Sequence, residues 1–143
     1  MRQAIREARK AFDADEVPVG AVLVHQKKII GRAHNQSRLL KDPTAHAEMI
    51  AITQACETLG EGRLPAATLY VTLEPCPMCL GAMILARIGR LVFGAREEKT
   101  GACGSVVNLL ADGRWNHRFK IEEGLLEFES GALLQEFFKK KRI

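Results

Sequence analysis

Short β-rich runs alternate with helix-like segments along this chain, and that alternation constrains its fold more than any other feature. Apolar residues recur at helical spacing between runs rich in β-branched side chains. The predicted strands are residues 17–24, 28–30, 68–73, 91–93 and a weak strand within 119–128. The predicted helices are residues 4–13, 44–59, 77–88 and a last helix from about residue 130. A β-hairpin followed by alternating helices and strands predicts an α/β protein, specifically a three-layer α/β/α sandwich with a mixed central sheet.

The length and composition limit the possible classes of protein. A chain of 143 residues with a net charge of +4 is interpreted as one domain, residues 1–143. Its apolar runs are too short to span a membrane, and its first seven residues mix charged with apolar side chains, unlike a signal peptide. We therefore expect a cytoplasmic protein. Four cysteines in that compartment favour free thiols or metal ligands over disulfides.

Two short motifs offer the donors of a metal site. His46 and Glu48 lie near a predicted helix start, and Cys76 and Cys79 flank Pro77 where a strand meets the next helix. Cysteines three residues apart share one face of a helix, and proline suits the first helical position. A catalytic zinc commonly keeps three protein ligands and an open position, so one imidazole and two thiolates predict such a site.

The spacing leaves the role of Glu48 open. A closed shell of His46, Cys76, Cys79 and Glu48 would be structural, whereas an open shell would leave Glu48 to take a proton from water. A lone C-x-x-C pair also occurs in structural zinc sites and redox pairs. The paired histidine motif, thirty residues upstream, favours the catalytic zinc.

Together, the two motifs resemble those of a known family. H-A-E with P-C-x-x-C is similar to the signature of zinc-dependent cytidine and deoxycytidylate deaminases. Longer stretches resemble the bacterial tRNA-specific adenosine deaminases over nearly the whole chain. These stretches are PVGAVLV at 18–24, DPTAHAE at 42–48, TLYVTLEPC at 68–76 and FGAR at 93–96, with KTG at 99–101.

This resemblance implies a cytidine deaminase-like fold and a hydrolytic reaction. The expected reaction converts adenosine to inosine at the wobble position of tRNA, with tRNA-Arg carrying an ACG anticodon as the expected substrate. The resemblance implies one zinc ion per subunit held by His46, Cys76 and Cys79, with Glu48 as proton shuttle. It also implies a homodimer that binds the tRNA anticodon stem-loop through both subunits. Asn35 would hydrogen-bond the target nucleoside, whereas without this resemblance it would be interpreted as a turn residue that ends the second strand.

Five further residues are RNA-binding candidates by the same resemblance. Phe138, Lys139 and Arg142 belong to a C-terminal tail that pairs aromatic rings with cations, which suits unstacked bases and phosphates. Lysines also favour the end of any helix, so a structural role is the alternative. Lys99 and Glu97 follow a strand beside the expected pocket, and relatives commonly carry Asp at the position of Glu97.

Two other functions remain as alternatives. A deaminase of free nucleobases or nucleosides, such as guanine or cytosine, would use the same zinc chemistry without a phosphate-binding surface. An inactive partner subunit that only binds RNA would be expected to lack the carboxylate of Glu48, which is present here. The sequence assigns no role to Cys103.

Overall fold

The computed structural model describes residues 1–142, so the predicted domain end at residue 143 lies outside the described residues. The helices are α1 (Arg2–Asp13), α2 (Ala47–Leu59), α3 (Pro77–Ala86) and α4 (Glu127–Lys141). The strands are β1 (Gly20–His25), β2 (Lys28–His34), β3 (Thr68–Leu73), β4 (Arg90–Ala95) and β5 (Lys120–Glu123). Within residues 1–142 there is also one short 3-10 helix, Leu109–Ala111, which precedes β5.

The five strands form one mixed sheet in the order β2-β1-β3-β4-β5. Strand β1 pairs antiparallel with β2 and with β3, which confirms the predicted hairpin. Strands β3, β4 and β5 run parallel. Parallel neighbours need a crossover connection, and α3 supplies the one between β3 and β4.

Side chains alternate between two buried faces of this sheet, as expected when helices cover both sides. Leu69, Val71 and Phe93 pack into the core that α2 and α3 cover. On the other face, α1 and α4 approach the backbone closely. A side chain at Gly20 would collide with α1, and one at Gly94 would meet the Ser130 side chain of α4. The predicted three-layer sandwich is confirmed.

Several element boundaries differ from the sequence prediction. Strand β1 begins at Gly20 rather than residue 17, and α4 begins at Glu127, three residues before the predicted start. Helix α2 begins at Ala47, not at residue 44, with His46 as its N-cap. Asp42 does not cap this helix, because its carboxylate accepts hydrogen bonds from the backbone and hydroxyl of Thr44 in a local turn.

This architecture brings two helix starts together on one side of the sheet. Helix α2 follows the hairpin, and α3 starts directly after β3, so their N-terminal ends carry the two sequence motifs. The two helices pack against each other. No helix within residues 1–142 combines the length and the apolarity that crossing a membrane requires.

Candidate metal and substrate site

The predicted metal ligands meet at the N-terminal ends of α2 and α3. His46 is the N-cap of α2, Cys76 is the N-cap of α3, and Cys79 lies one turn into α3. His46 Nδ1 lies 3.7 Å from Cys76 Sγ and 3.5 Å from Cys79 Sγ. The three donor atoms all lie within 4.8 Å of one another. Three residues separated by up to thirty-three positions in sequence therefore form one donor cluster.

The spacing of these donors fits a zinc ion. Zinc prefers tetrahedral coordination with Zn–N near 2.0 Å and Zn–S near 2.3 Å, which places neighbouring nitrogen and sulfur ligands about 3.6 Å apart. The observed nitrogen–sulfur distances of 3.5 and 3.7 Å bracket that value. A set of two thiolates and one imidazole also selects zinc over harder cations.

The two sulfurs differ in acidity. The hydrogen bond from Cys79, together with the interaction with His46, lowers the pKa of the Cys76 thiol to about 4 against the opposing effect of burial. The same interaction with Cys76, together with burial, raises the pKa of Cys79. The hydrogen bond to Cys76 also raises the pKa of His46. Cys76 is therefore the sulfur that ionises first, as expected beside a helix N-terminus.

Glu48 lies in the first turn of α2, close to this cluster, and its side chain is buried. Burial raises the pKa of its carboxyl, although its own backbone N–H and the charge of His46 oppose that shift. A raised pKa favours the protonated form of the carboxyl, so Glu48 can hold a proton as well as accept one, as a general acid–base group must.

Asn35 follows the end of β2 and closes the same site. Its side-chain oxygen Oδ1 accepts a hydrogen bond of 3.0 Å from the backbone N–H of Ala47, the first residue of α2. It thus caps α2 from twelve positions upstream in the sequence. Because the oxygen is used in this way, the side-chain amide nitrogen is the donor that Asn35 offers to a ligand.

A cavity of about 490 Å³ opens over the cluster. That volume falls within the usual range for small-molecule sites. Its lining includes predicted site residues together with residues of α4 and of the loops around it. The predicted residues on the lining are Asn35, His46, Glu48, Cys76, Glu97 and Phe138.

The remaining predicted RNA-binding residues lie outside this lining. Lys99, Lys139 and Arg142 are exposed, and each is adjacent in sequence to a residue on that lining. From the same C-terminal tail, Lys141 lines the cavity together with Phe138. Lys141 forms an ion pair with Asp15, which also binds Arg38. The end of α4 and the loops before β1 and α2 therefore meet at the cavity mouth.

Two buried carboxylates on the cavity wall were missed by the sequence analysis. Glu16 accepts hydrogen bonds from the backbone N–H groups of Arg38 and Leu39. Glu74, directly after β3, accepts backbone hydrogen bonds from a loop that follows β4. The one available sequence signal was a charged residue at the end of an apolar strand, immediately before the Pro-Cys of the metal motif.

Comparison with known protein families yields a match over almost the whole chain. The MafB19-like deaminase family matches residues 1–142. A tRNA-specific adenosine deaminase of Bacillus subtilis (strain 168) is 51% identical over 99% of this chain and 88% of its own length. A tRNA-specific adenosine deaminase of Aquifex aeolicus (strain VF5) is also 51% identical, over 99% of this chain and 93% of the relative.

Solved structures agree with these sequence matches. A structure from studies of A-to-I editing by tRNA:A34 deaminases at the wobble position of transfer RNA superposes with a TM-score of 0.90 and 49% identity. The superposition covers 94% of this chain and 97% of that one, and confirms the fold type that the resemblance implied. A guanine deaminase from Nitrosomonas europaea superposes at 0.79 with 26% identity, over 94% of this chain and 80% of the other.

Proposed function

The chain belongs to the tRNA-specific adenosine deaminases, and from this membership we propose that residues 1–143 form one deaminase domain that converts the wobble adenosine of a tRNA to inosine. The reaction is a hydrolysis at C6 of adenine, in which water oxygen replaces the amine and ammonia leaves. The observation that carries the proposal is that a metal-ligand cluster and a buried carboxylate share one cavity. A single-stranded anticodon loop can deliver an unstacked base into such a cavity at low cost.

We assign one zinc ion per subunit to His46, Cys76 and Cys79. The donor spacing and the low pKa of Cys76 support this assignment. Zinc held there supplies a Lewis acid that makes a water molecule acidic near neutral pH. The three ligands leave Glu48 free for a different task.

Glu48 is assigned as the proton shuttle. Its carboxylate accepts a proton from the attacking water and delivers it to N1 of adenine, and then transfers the remaining proton of that water, now on the C6 hydroxyl, to the amine, which leaves as ammonia. Burial favours the protonated carboxyl, so the proton is readily held between these steps. The position of Glu48 in the first turn of α2, two residues after His46, keeps the shuttle beside the metal ligands.

Asn35 is assigned to the substrate. Its oxygen is fixed by the Ala47 backbone, so the side-chain amide is held in one orientation before the base arrives. A pre-oriented amide loses little entropy when it binds the target nucleoside. Its position on the cavity lining, with Glu48, supports this role.

The RNA surface is assigned to the rim of the cavity. Phe138 is 44% exposed and lines the cavity, which suits stacking with an unpaired base. Lys139, Arg142 and Lys99 are exposed cations next in sequence to cavity-lining residues, and they suit phosphate contacts. Glu97 lines the cavity itself, which supports its assignment to the sugar beside the target nucleotide.

An exposed apolar patch on α2 and α3 is assigned to a homodimer interface. Met49, Met78, Leu85 and Trp115 line a shallow depression there, and Leu85 is 79% exposed. Leucine exposed to that degree within an apolar patch is typical of a protein–protein contact. Through this patch a second subunit would lie close to α2 and α3, which both carry metal ligands.

The family resemblance also supports two finer assignments. The tRNA substrate is assigned as tRNA-Arg with an ACG anticodon, read through its anticodon stem-loop. The compartment is assigned as the cytoplasm, where such a tRNA is available and where the free cysteines of this chain would stay reduced.

A free guanine deaminase is the second candidate, because the Nitrosomonas europaea enzyme superposes over most of this chain. A free purine would fit the cavity without using the cations on its rim. The two candidates therefore differ in whether phosphate-bearing RNA is needed for turnover.

The deciding experiment measures inosine in an anticodon stem-loop of tRNA-Arg(ACG). Zinc-loaded protein is incubated with the stem-loop, and reverse transcription reads inosine as G. The Glu48→Gln variant is the inactive control, and Glu57→Gln is the matched control because Glu57 is an exposed glutamate on the same helix. We expect conversion at the wobble position with wild type and Glu57→Gln only. Ammonia release from free guanine without RNA conversion would instead establish the second candidate.

A further inference from the structure

We propose that Glu74 is a positioning residue that holds residues 97–105 as a preformed wall of the substrate cavity. The proposal rests on the proposed function, since it assigns to this loop a part in binding the target nucleotide. Glu74 lies directly after β3, and the residues it binds lie 23 to 31 positions further along the chain. Its carboxylate is therefore the point where the two segments are joined.

The carboxylate of Glu74 accepts four hydrogen bonds from this loop. Oε1 accepts from the backbone N–H of Glu97 at 3.1 Å and from the Ser105 hydroxyl. Oε2 accepts from the backbone N–H groups of Cys103 and Ser105 at 2.9 and 3.1 Å. The donors come from both ends of the loop, so one side chain fixes its entrance and its exit. Bonds from N–H groups to a buried carboxylate are among the stronger hydrogen bonds in proteins.

Two further contacts press the loop against the end of β3. The backbone N–H of Ala102 donates to the carbonyl of Pro75 at 2.8 Å. Gly101 lies directly over the Glu74 carboxylate, and any side chain at that position would collide with it. The loop thus packs closely because it carries glycine where the carboxylate lies.

The loop held in this way faces the substrate. Glu97 and Thr100 lie on the cavity lining, while the N–H of Lys99 donates to the Glu97 side chain at 3.0 Å. With the loop fixed, these side chains are in place before the nucleotide binds. A preformed wall spares the substrate the entropy cost of ordering the loop, so its effect appears in substrate affinity.

Glu74 could alternatively act through the metal, since Cys76 is only two residues away. The two roles make different predictions. Loss of loop positioning weakens substrate binding while leaving chemistry intact, which raises KM with little change in kcat. Displacement of Cys76 lowers zinc content and kcat together.

The test compares Glu74→Gln and Ser105→Ala with wild type. Glu74→Gln preserves the shape of the side chain but turns an amide N–H₂ toward N–H donors. Ser105→Ala removes only the hydroxyl donor and lies far from the metal motif in sequence. The matched control is Glu7→Gln, which alters a buried glutamate bound to Lys10 and His34 outside the cavity. Zinc content, amide hydrogen exchange of residues 97–105, and KM and kcat on the stem-loop are measured for each.

For Glu74→Gln we expect full zinc content, faster amide exchange at Cys103 and Ser105, and a KM raised about tenfold with kcat within about threefold of wild type. Ser105→Ala is expected to raise KM about threefold, with the same direction of change in exchange. Glu7→Gln should leave KM and loop exchange unchanged.

Unchanged exchange and KM in folded, zinc-loaded Glu74→Gln and Ser105→Ala would overturn the proposal. A loss of zinc and kcat at constant KM would overturn it in favour of an effect through Cys76. If wild-type protein fails to convert the wobble adenosine, the proposed function fails instead. The exchange measurement then decides by itself whether Glu74 holds the loop.

Discussion

Two buried glutamates line the same cavity and behave in opposite ways. Glu48 is 4% exposed and Glu74 is 3% exposed, so both side chains are almost fully covered. Burial raises the pKa of Glu48, with only partial opposition from its own N–H and from His46. Burial acts on Glu74 in the same direction, but the Ser105 hydroxyl and three backbone N–H groups outweigh it and lower its pKa.

The difference shows that low exposure alone does not decide what a buried carboxylate can do, because the hydrogen-bond donors around it also set its pKa. A carboxylate surrounded by N–H and O–H donors is held as an anion and fixes the groups around it. A carboxylate with few donors gains and loses a proton easily. One cavity therefore contains a glutamate suited to proton transfer and another suited to holding a loop.

Removing the metal is expected to have the largest effect and to separate these two roles. Chelation should abolish turnover, because the water would lose its Lewis acid while Glu48 stays in place. The loop held by Glu74 should keep its amide protection, since none of its hydrogen bonds involves His46, Cys76 or Cys79. Inosine formation and hydrogen exchange are measured before and after chelation.

Adding zinc back should restore turnover, whereas magnesium should not, because thiolate ligands disfavour hard cations. If chelation also removed protection from residues 97–105, the proposed separation between the metal site and the loop would be wrong.

Replacing Glu48 is expected to have the next largest effect. Glu48→Gln keeps the size of the side chain but removes its proton-accepting group, so kcat should fall about 10³-fold. The free energy of unfolding should stay the same or increase, because the variant no longer buries an ionisable carboxyl. Single-turnover inosine formation and urea unfolding measure the two quantities.

Full zinc content in Glu48→Gln serves as the control for intact ligands. Turnover within tenfold of wild type would contradict the shuttle assignment.

The sequence predicted the residues with rare side chains and missed Glu74, whose role depends on backbone groups. Histidine and cysteine are uncommon side chains with few roles, so a cluster of His46, Cys76 and Cys79 could be predicted from their spacing, and the structure brings these three together. The strand at residues 68–73 was also predicted with its observed bounds, since its apolar residues alternate and turn signals flank it. Glu74 was missed because three of its donors are backbone N–H groups, which nearly every residue has, and lie at least 23 positions away.

The start of α2 was predicted wrongly for a related reason. Asp42 and Pro43 form a local helix-start signal, but Asp42 is used in a turn with Thr44. The N–H of Ala47 is instead capped by Asn35, across a loop. Sequence patterns describe contacts between near neighbours, whereas this cap depends on how the hairpin packs against the helix.

Glu16 sharpens the comparison, because it resembles Glu74 in its contacts but holds a different loop. Its two carboxylate oxygens accept hydrogen bonds from the backbone N–H groups of Arg38 and Leu39, at 3.0 and 2.8 Å respectively. Glu16→Ala leaves both donors without this acceptor, so the free energy of unfolding should fall by about 2–3 kcal/mol. Urea unfolding measures this change.

The exposed Glu57→Gln variant on α2 is the matched control and should change stability by less than about 0.5 kcal/mol. Equal unfolding midpoints for Glu16→Ala and wild type would show that backbone donors alone do not make a buried glutamate stabilising.

Glu7 is expected to give the smallest effect and tests a third arrangement, in which a buried carboxylate binds basic side chains instead of backbone groups. The Nζ atom of Lys10 lies 2.7 Å from Oε2 of Glu7, and the Nδ1 atom of His34 lies 3.3 Å from Oε1 of Glu7. Burial raises the pKa of Glu7, but the hydrogen bonds and charges of Lys10 and His34 outweigh it and hold the pKa below its usual value.

Because the folded state lowers this pKa, Glu7 stabilises the fold above its ordinary pKa of about 4.3, and that contribution disappears as the pH falls through the lower folded value. Glu7→Gln should therefore be less stable than wild type by about 1 kcal/mol at pH 7, a modest amount because Lys10 is largely exposed. Urea unfolding at pH 7 and at pH 3.5 should show the gap narrowing in acid. A gap that stayed constant would mean that Glu7 acts through packing alone. The charge of Glu7 would then contribute nothing to the free energy of unfolding. Hydrogen-bond donors would in that case stabilise a buried carboxylate only where they come from the backbone, as they do at Glu74.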